Sequence, residues 1–537
     1  MDLPAHRPDL VARYTAAGWW SPETVSERVR AWASERAVEP AYRWPGDEGW
    51  CQLSWSGYDA AADRIAGALA DLGLLRGARV LVFLPDGGAV HAAFLACERA
   101  GVVAVGVGWR AGRQELHHLL ERSGASAAVA ALATPLGAPD ELDLPVARVV
   151  LDDLDDADGW AAGAPPVGPT IEPIGVDELW LLNSTSGTTG LPKCVMQTQN
   201  RWRYFHHKAV EFGELDPADS WMSVVPAPFG FGLWTAHVTP TLLGLPCVVM
   251  PRFDAAAVAE AIERWRVTVL CSVSSQFAML LDAAGDRDLS SLRVLFTGGE
   301  AISSARARAF EQRCGCTVLN FYGSNETGLL SGTRVDDPVE RRLTTGGRVV
   351  PEMQVRLFDA DTGARLVGDV GRGVPACCGP ATALGYWDDD EANAELVDSD
   401  GWMRMGDVVT IDPDGWLRVV GRTSDIIIRG GKNISAARVE DEVASHEAVA
   451  LAAAVAVPDP RLGERVGVFV ELAADPTVLG LAELREHLGG RGVSREWWPE
   501  HLWVLDELPR SSGGKVAKGE LRDRAARLVA EPGVDGV

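Results

Sequence analysis

Lysine is almost missing from this chain of 537 residues: Lys193, Lys208, Lys432, Lys515 and Lys518 are the only lysines among 50 basic side chains. Positive charge is short altogether, since 75 acidic residues leave a formal net charge of −25. That balance argues against nucleic acid and anionic membranes as partners, because both demand basic surface. No apolar stretch reaches membrane-spanning length, and the start Met1-Asp-Leu-Pro4 lacks the basic-then-apolar order of a secretory signal. The expectation is a cytoplasmic protein without a membrane span. Nine cysteines, an odd number, sit mostly inside apolar runs (Cys97, Cys247, Cys271) and read as reduced thiols packed like small hydrophobes. Cys314-Gly-Cys316 and Cys377-Cys378 have neither the spacing nor the histidine company of a zinc site. Cys194 reads as a packing residue.

What is present is a globular composition, 47% hydrophobic and 23% charged, in a chain too long for one core. From 54 to 130 strand-like and helix-like runs alternate. Ser56 and Asp59 suggest a capping box for a helix with Ile65, Leu69 and Leu72 on its apolar face. Val80-Leu-Val-Phe-Leu84 reads as a buried strand, followed by a helix over 89–100. Residues 152–177 are acidic and rich in Pro, Gly and Ala, a solvated connection. The alternation resumes to about 330, which argues for parallel-rich sheets with flanking helices. Short strands and turn signals from about 343 to 421 suggest a small β-rich subdomain, and a compact α+β tail follows beyond 425.

In such a chain a lysine that closes a Gly/Ser/Thr loop supplies a compact ammonium that a planar guanidinium does not imitate. Two loops have this form, Ser184-Thr-Ser-Gly-Thr-Thr-Gly-Leu-Pro-Lys193 and Leu508-Pro-Arg-Ser-Ser-Gly-Gly-Lys515. The first offers backbone N–H groups, adjacent hydroxyls and one cation directly after the apolar strand around Trp180, which suits a polyphosphate. It is not a Walker loop, because no Gly-Lys-Ser/Thr follows the glycines at the required spacing. Glu326, in Phe321-Tyr-Gly-Ser-Asn-Glu-Thr327, supplies a hard oxygen suited to Mg²⁺. Thr297-Gly-Gly-Glu-Ala301 lets backbone approach a planar ring.

With Gly385-Tyr-Trp387, Gly401-Trp-Met-Arg-Met-Gly-Asp407 and Gly421-Arg-Thr-Ser-Asp-Ile-Ile-Ile-Arg-Gly-Gly431, these motifs stand in an order that resembles the adenylate-forming superfamily over nearly the whole chain. Pro192-Lys-Cys194 and Tyr322-Gly-Ser-Asn-Glu326 are more similar to cyclohexanecarboxylate-type CoA ligases than to amino-acid adenylators. The resemblance implies a large N-terminal domain (1–421), a hinge (422–425) and a small mobile α+β C-terminal domain (426–537). It implies ATP, Mg²⁺ and coenzyme A as cofactors. It places Thr185, Ser186, Gly187, Thr188, Thr189, Gly190, Lys193 and Asn325 on the phosphates, with Glu326 on the metal. Gly299, Glu300, Ala301, Asn320, Phe321 and Tyr322 fall to adenine, Asp407 and Arg422 to ribose, and Gly430 and Gly431 to CoA. Lys515 becomes the catalytic lysine, whose ammonium bridges the attacking carboxylate and the α-phosphate. Lys518 reads as a solvated helix start.

Some positions depart from the family pattern. Asn325 replaces the usual Thr yet retains a donor. The hinge position carries Ser424 followed by Asp425. The acyl segment Pro226-Ala-Pro-Phe-Gly-Phe-Gly-Leu-Trp234 puts Phe229 where amino-acid adenylators have Asp and hydroxybenzoate activators Asn. With Phe231, Gly298 and Gly323, that implies an apolar pocket for a cyclic, aromatic or medium-chain acid. The expected activity is therefore a carboxylic acid–CoA ligase acting through an acyl-adenylate. Two alternatives stand beside it. One loads a carrier-protein phosphopantetheine, since Ala12-Arg-Tyr-Thr-Ala-Ala-Gly-Trp-Trp20 resembles stand-alone aryl-acid activators. The other is a catalytically idle nucleotide or acyl-adenylate sensor.

Overall fold

The structure, a computed structural model, describes residues 3–160, 171–184, 192–299, 302–360, 362–422, 425–429, 432–473, 479–511 and 515–530, with 422, 432, 433, 496 and 530 described as backbone. Among the described residues the strands gather into four sheets. The first runs Ala147–Leu151, Ala127–Ala131, Arg79–Phe83, Val103–Gly106, Leu181–Ser184 and Cys194–Gln197, parallel except for the last pair. The second and largest has a parallel centre of Thr317–Ser324, Val294–Gly298, Val269–Cys271, Trp221–Ser223, Cys247–Val249 and Pro40–Gly46. Antiparallel strands close both its edges.

The strand-forming runs are short, apolar and buried, as strands covered on both faces must be. Between the two sheets lies the helix Gly88–Arg99, all of whose residues are buried. Its sequence is apolar nearly all round, which only a helix with no solvent face tolerates. Arg99 ends it. Its guanidinium donates to Ser26 Oγ (2.7 Å), Asp59 Oδ1 (2.5 Å) and Asp63 Oδ1 (2.8 Å), tying it to the helices Val25–Glu35 and Trp55–Asp71.

A third sheet, Gln354–Phe358, Gly371–Cys378, Asp407–Ile411 and Leu417–Arg422 with Met403–Arg404 alongside, is antiparallel throughout. It is the β-rich unit expected near 343–421. The fourth, Lys432–Ser435, Ile426–Arg429, Gly463–Leu472, Val449–Asp459 and His501–Val504, has its own apolar core around Val466, Val468 and Leu484.

Three expectations need correction. The helix Trp55–Asp71 is capped by Ser54, which accepts from Gly57 N; Ser56 and Asp59 lie inside it, and Asp59 serves Arg99. The stretch 152–177 is not all solvated: Trp160 and Ile174 are buried in the main core, because an aromatic or branched side chain next to an open apolar face docks there. Lys518 does open the helix Lys518–Ala530, but its ammonium is held by Glu440 (2.7 Å) and Asp425 (3.7 Å). Cys194 is buried as expected, and burial pushes its thiol up to about 11.

Replacing Arg99 by Ala takes from Asp59 and Asp63 their nearest cation and leaves them the more distant Arg30, at 3.9 and 3.3 Å. The expected loss is about 2–3 kcal/mol, below the fully buried limit because both carboxylates keep contact with water. A denaturant midpoint unchanged from the parent would contradict that role.

Candidate active site

The strand Leu181–Ser184 ends where the Ser/Thr/Gly run begins, and Cys194–Gln197 returns antiparallel beside it. Thr185, Ser186, Gly187, Thr188, Thr189 and Gly190 lie outside the described residues, so the structure positions the two ends of the loop. Asn325 stands over its root: its Nδ2 donates to Ser184 O (3.4 Å) and its Oδ1 accepts from Asn183 Nδ2 (3.3 Å). The following residue, Glu326, accepts through Oε1 from the Tyr386 hydroxyl (2.8 Å). The Lys193 ammonium lies 4.8 Å from the centre of the Tyr386 ring, a cation–π distance. A cation, a phenol and a carboxylate therefore line up at the loop's exit. Burial, reinforced by the Glu326 carboxylate, raises the Tyr386 phenol well above its ordinary value, so it stays a donor.

Arg201 braces the same cluster from below. It is fully buried, and its guanidinium donates to Ala381 O (2.7 Å), to Gln197 Oε1 and to Glu326 O (3.5 Å). Burial lowers its value to about 9, against which the Glu326 carboxylate acts, so it remains a cation at neutral pH. Nothing in the sequence distinguishes this arginine from the many exposed ones. Tyr386 was quoted in a motif but given no task; its place between Lys193 and Glu326 is visible only in three dimensions.

A second group forms across two sheets. The Tyr322 hydroxyl donates to Asp407 Oδ2 (2.8 Å), and Asp407 faces Arg422 directly in the antiparallel pair Asp407–Ile411 with Leu417–Arg422. Asn320 donates to Thr345 O (3.0 Å). Phe321 turns its ring into the apolar cluster, 5.5 Å from Trp234 and 5.2 Å from Phe296, while its backbone pairs with Gly298 on one side and Gly332 on the other. Gly299 adopts φ +76°, a left-handed turn that favours glycine. Glu300 and Ala301, which follow it, lie outside the described residues, as do Ser424, Gly430 and Gly431.

Lys515 comes to this turn from the fourth sheet's side of the molecule. Its Nζ lies 3.2 Å from where a Cβ on Gly299 would stand. The loop that carries it is closed by Ser511 N donating to Lys515 O (2.7 Å), and Arg510 reaches Ser275 Oγ (3.4 Å) across the interface. Gly298, next to this turn, pairs with Phe321, so Lys515 stands beside the end of the strand that leads into Tyr322 and on to Glu326.

The acyl segment turns sharply. Phe229 N donates to Pro226 O (3.3 Å), and Leu233 N to Phe229 O (2.7 Å), starting the turns Gly230–Gly232 and Leu233–Val238, the latter π-helical. Phe229 is nearly buried, while Phe231 stacks on Trp234 at 5.4 Å. Phe205, which the sequence reading missed, meets Trp234 at 4.4 Å and Phe321 at 5.9 Å, so the wall is more aromatic than two phenylalanines imply. A side chain on Gly230 would collide with Asn325, and one on Gly298 with Phe321 O. Gly323 abuts Gly328 O; both strand glycines are explained by close backbone packing.

Known proteins resemble this chain over most of its length. Residues 29–387 match the AMP-binding enzyme family, and residues 438–515 match the AMP-binding enzyme C-terminal domain. A 2-hydroxy-7-methoxy-5-methyl-1-naphthoate–CoA ligase of Streptomyces carzinostaticus is 33% identical over 97% of this chain and 96% of its own. A salicyl-AMP ligase/salicyl-S-ArCP synthetase of Mycobacterium tuberculosis is 33% identical over 95% of this chain and 92% of its own. Among solved structures, o-succinylbenzoate CoA synthetase of Bacillus subtilis in complex with its acyl-adenylate superposes with a TM-score of 0.78, at 25% identity over 92% of this chain and 98% of that one. With matched segments covering most of its length and relatives aligned almost end to end, the chain belongs to the AMP-binding, adenylate-forming enzyme family.

Proposed function

We propose that this protein is an ATP-dependent ligase that activates an apolar cyclic, aromatic or medium-chain carboxylic acid as its adenylate and transfers the acyl group to coenzyme A. The observation that carries this reading is the meeting of Lys515 with the Gly299 turn, beside the Tyr322–Asp407 pair and the Lys193–Tyr386–Glu326 line. A carboxylate and a triphosphate repel one another. An ammonium between them removes that repulsion and stabilises charge on the α-phosphorus as the new bond forms and pyrophosphate leaves.

The chain's own groups divide the remaining work. Lys193 and Asn325 hold phosphate oxygens at the loop exit and root. Asp407, oriented by the Tyr322 phenol, accepts from ribose hydroxyls with Arg422 across the strand pair. A magnesium ion fits the donor set at Glu326: one hard carboxylate, partly exposed, with one oxygen held by Tyr386, is what Mg²⁺ takes beside phosphate. Glu326 would hold it, and the ion would supply neutralising charge to the triphosphate. Phe229, Phe231 and Phe205 line the acid's apolar body, where an unpaired ammonium or hydroxyl would be disfavoured.

The same division of labour supports a hinge. Asp425 is ion-paired to Arg522 (3.0 Å) and Lys518 (3.7 Å), so it travels with the C-terminal helix, and the pivot falls on its N-terminal side, at Ser424. Rotation there, between units 1–421 and 426–537, withdraws Lys515 after adenylation and brings Gly430 and Gly431 to the pantetheine arm.

Lys515→Ala should lower acid-dependent ATP–pyrophosphate exchange by about 10²–10³-fold while thioester formation from supplied acyl-adenylate persists; full exchange would refute the assignment. Tyr386→Phe removes the phenol from Glu326 and should raise the KM for Mg-ATP about threefold to tenfold, leaving the KM for the acid unmoved. The 33% identity to the salicyl-AMP ligase favours a second reading, transfer to a carrier protein. Enzyme, ATP, acid and CoA alone should give acyl-CoA and AMP; pyrophosphate release without thioester, with AMP and thioester appearing only when a phosphopantetheinylated carrier protein is added, would establish the carrier-protein reading instead.

A further inference from the structure

Among the described residues, the turn that presents Phe229 is tied to the other sheet's end by one hydrogen bond. Pro226 and Pro228 carry no N–H, so Ala227 between them holds the single donor of the stretch. That N–H donates to Asp86 Oδ1 at 2.6 Å. Asp86 belongs to the other sheet: it follows the strand Arg79–Phe83 and precedes the helix Gly88–Arg99, whose N-terminal dipole favours a negative charge there. From that sheet also comes Gly106, where a Cβ would lie 2.7 Å from Pro228 Cβ. On the opposite side Gly232 abuts Pro226 O so closely that a side chain would collide with it. The turn is thus closed on itself by the Phe229–Pro226 hydrogen bond and the Gly232 contact, pressed by Gly106 from the other sheet, and, among the described residues, tied to that sheet's end by one hydrogen bond.

Asp86 is an expensive group to keep in this place. It is only partly accessible, and among the described residues no arginine, lysine or histidine pairs with it. An uncompensated carboxylate against apolar strands costs more than a leucine of similar size, unless its acceptor is needed. The titratable neighbour that faces it is Cys247 on the strand Cys247–Val249, a thiol pushed far up by burial and, to a lesser extent, by Asp86, and therefore neutral throughout the physiological range.

We propose that Asp86 is a positioning residue of the acyl site: its carboxylate, through the Ala227 amide, fixes the turn that carries Phe229 and so sets the affinity for the carboxylic acid. This rests on the reading of the 226–234 segment as the wall of the acid's pocket. Asp86 touches no substrate atom in this scheme. Its effect reaches the acid through one backbone hydrogen bond and the ring two residues beyond.

Burial pushes the Asp86 carboxyl from 3.8 up to about 7, opposed by the Ala227 amide. Because the folded value lies above the ordinary one, the neutral form is the stabler in the fold, and stability declines as pH rises through this window. The tether behaves in the opposite sense, since a carboxylate is the stronger acceptor. The KM for the acid should therefore fall between pH 6 and pH 8.

Three enzymes test the proposal. Asp86→Ala should raise the KM for the acid about tenfold and leave the KM for ATP within about twofold, the loss expected for one hydrogen bond to a charged acceptor. Asp86→Asn keeps a carbonyl acceptor without a titrating charge; it should recover most of that loss and show an acid KM flat between pH 6 and pH 8. Hydrogen exchange over residues 221–234 should be faster in Asp86→Ala than in the parent and near parental in Asp86→Asn. An unchanged acid KM, a parallel rise in both KM values, or unaltered exchange in Asp86→Ala would overturn the proposal. If the parent forms no AMP with any acid, the catalytic reading fails, and the exchange measurement then decides the tether by itself.

Discussion

The reaction we propose must bring two anions into bonding contact on a protein that is itself strongly acidic, and one ammonium, on the loop that follows the fourth sheet, would answer that demand. Lys515 meets the Gly299 turn from the C-terminal part of the chain, while the groups proposed for phosphate, ribose and metal stand on residues 193–407. In a low-dielectric cleft the attraction between such a cation and the converging charges far exceeds its value in water. Under that proposal the surrounding geometry has to keep this charge close during adenylation and let it leave afterwards, and the 3.4 Å hydrogen bond from Arg510 to Ser275 is a long one to give up.

The stationary half is held far more tightly. Glu326 is gripped through its side chain by Tyr386 and through its carbonyl by Ala383 N (2.7 Å) and Arg201. Asn325, one residue earlier, ties the same turn to the root of the phosphate loop and would be displaced by any side chain at Gly230. The root of the Ser/Thr/Gly loop and the 226–234 segment therefore share one corner. In the proposed reaction the same few side chains would set the acid's carboxylate against the α-phosphate, which is how orientation becomes rate.

How far the chain disclosed this arrangement follows from the range of the forces involved. The strand Arg79–Phe83 and the helix Gly88–Arg99 are local apolar patterns, and they stand within a residue of the strand at 80–84 and the helix over 89–100 that the sequence suggests. The motifs named the corner residues because each carries its chemistry in its own sequence. The braces escaped notice because they are long-range: Arg201 acts on a carbonyl 125 residues away, and Phe205 gains meaning only when Trp234 and Phe321 arrive beside it. Lys518 was misread for the same reason, since its partners at 425 and 440 come from a different strand and helix. Ser56 misled in the other direction: a good local capping pattern lost to Ser54, two residues earlier, which sits at the real end of the preceding strand.

The ion cluster around Lys518 gives the last helix a role beyond covering a sheet. Glu440 is deeply enclosed, and its carboxyl is driven up by burial and held down by this one ammonium. Asp425, at the start of the C-terminal sheet, leans on Arg522 from the next turn of the same helix. A chain clipped just after Lys515 would retain every motif residue of its active site. It would also take from Glu440 and Asp425 the Lys518 and Arg522 cations that hold them, so the tail is a structural member of the molecule and not an appendage that can be trimmed.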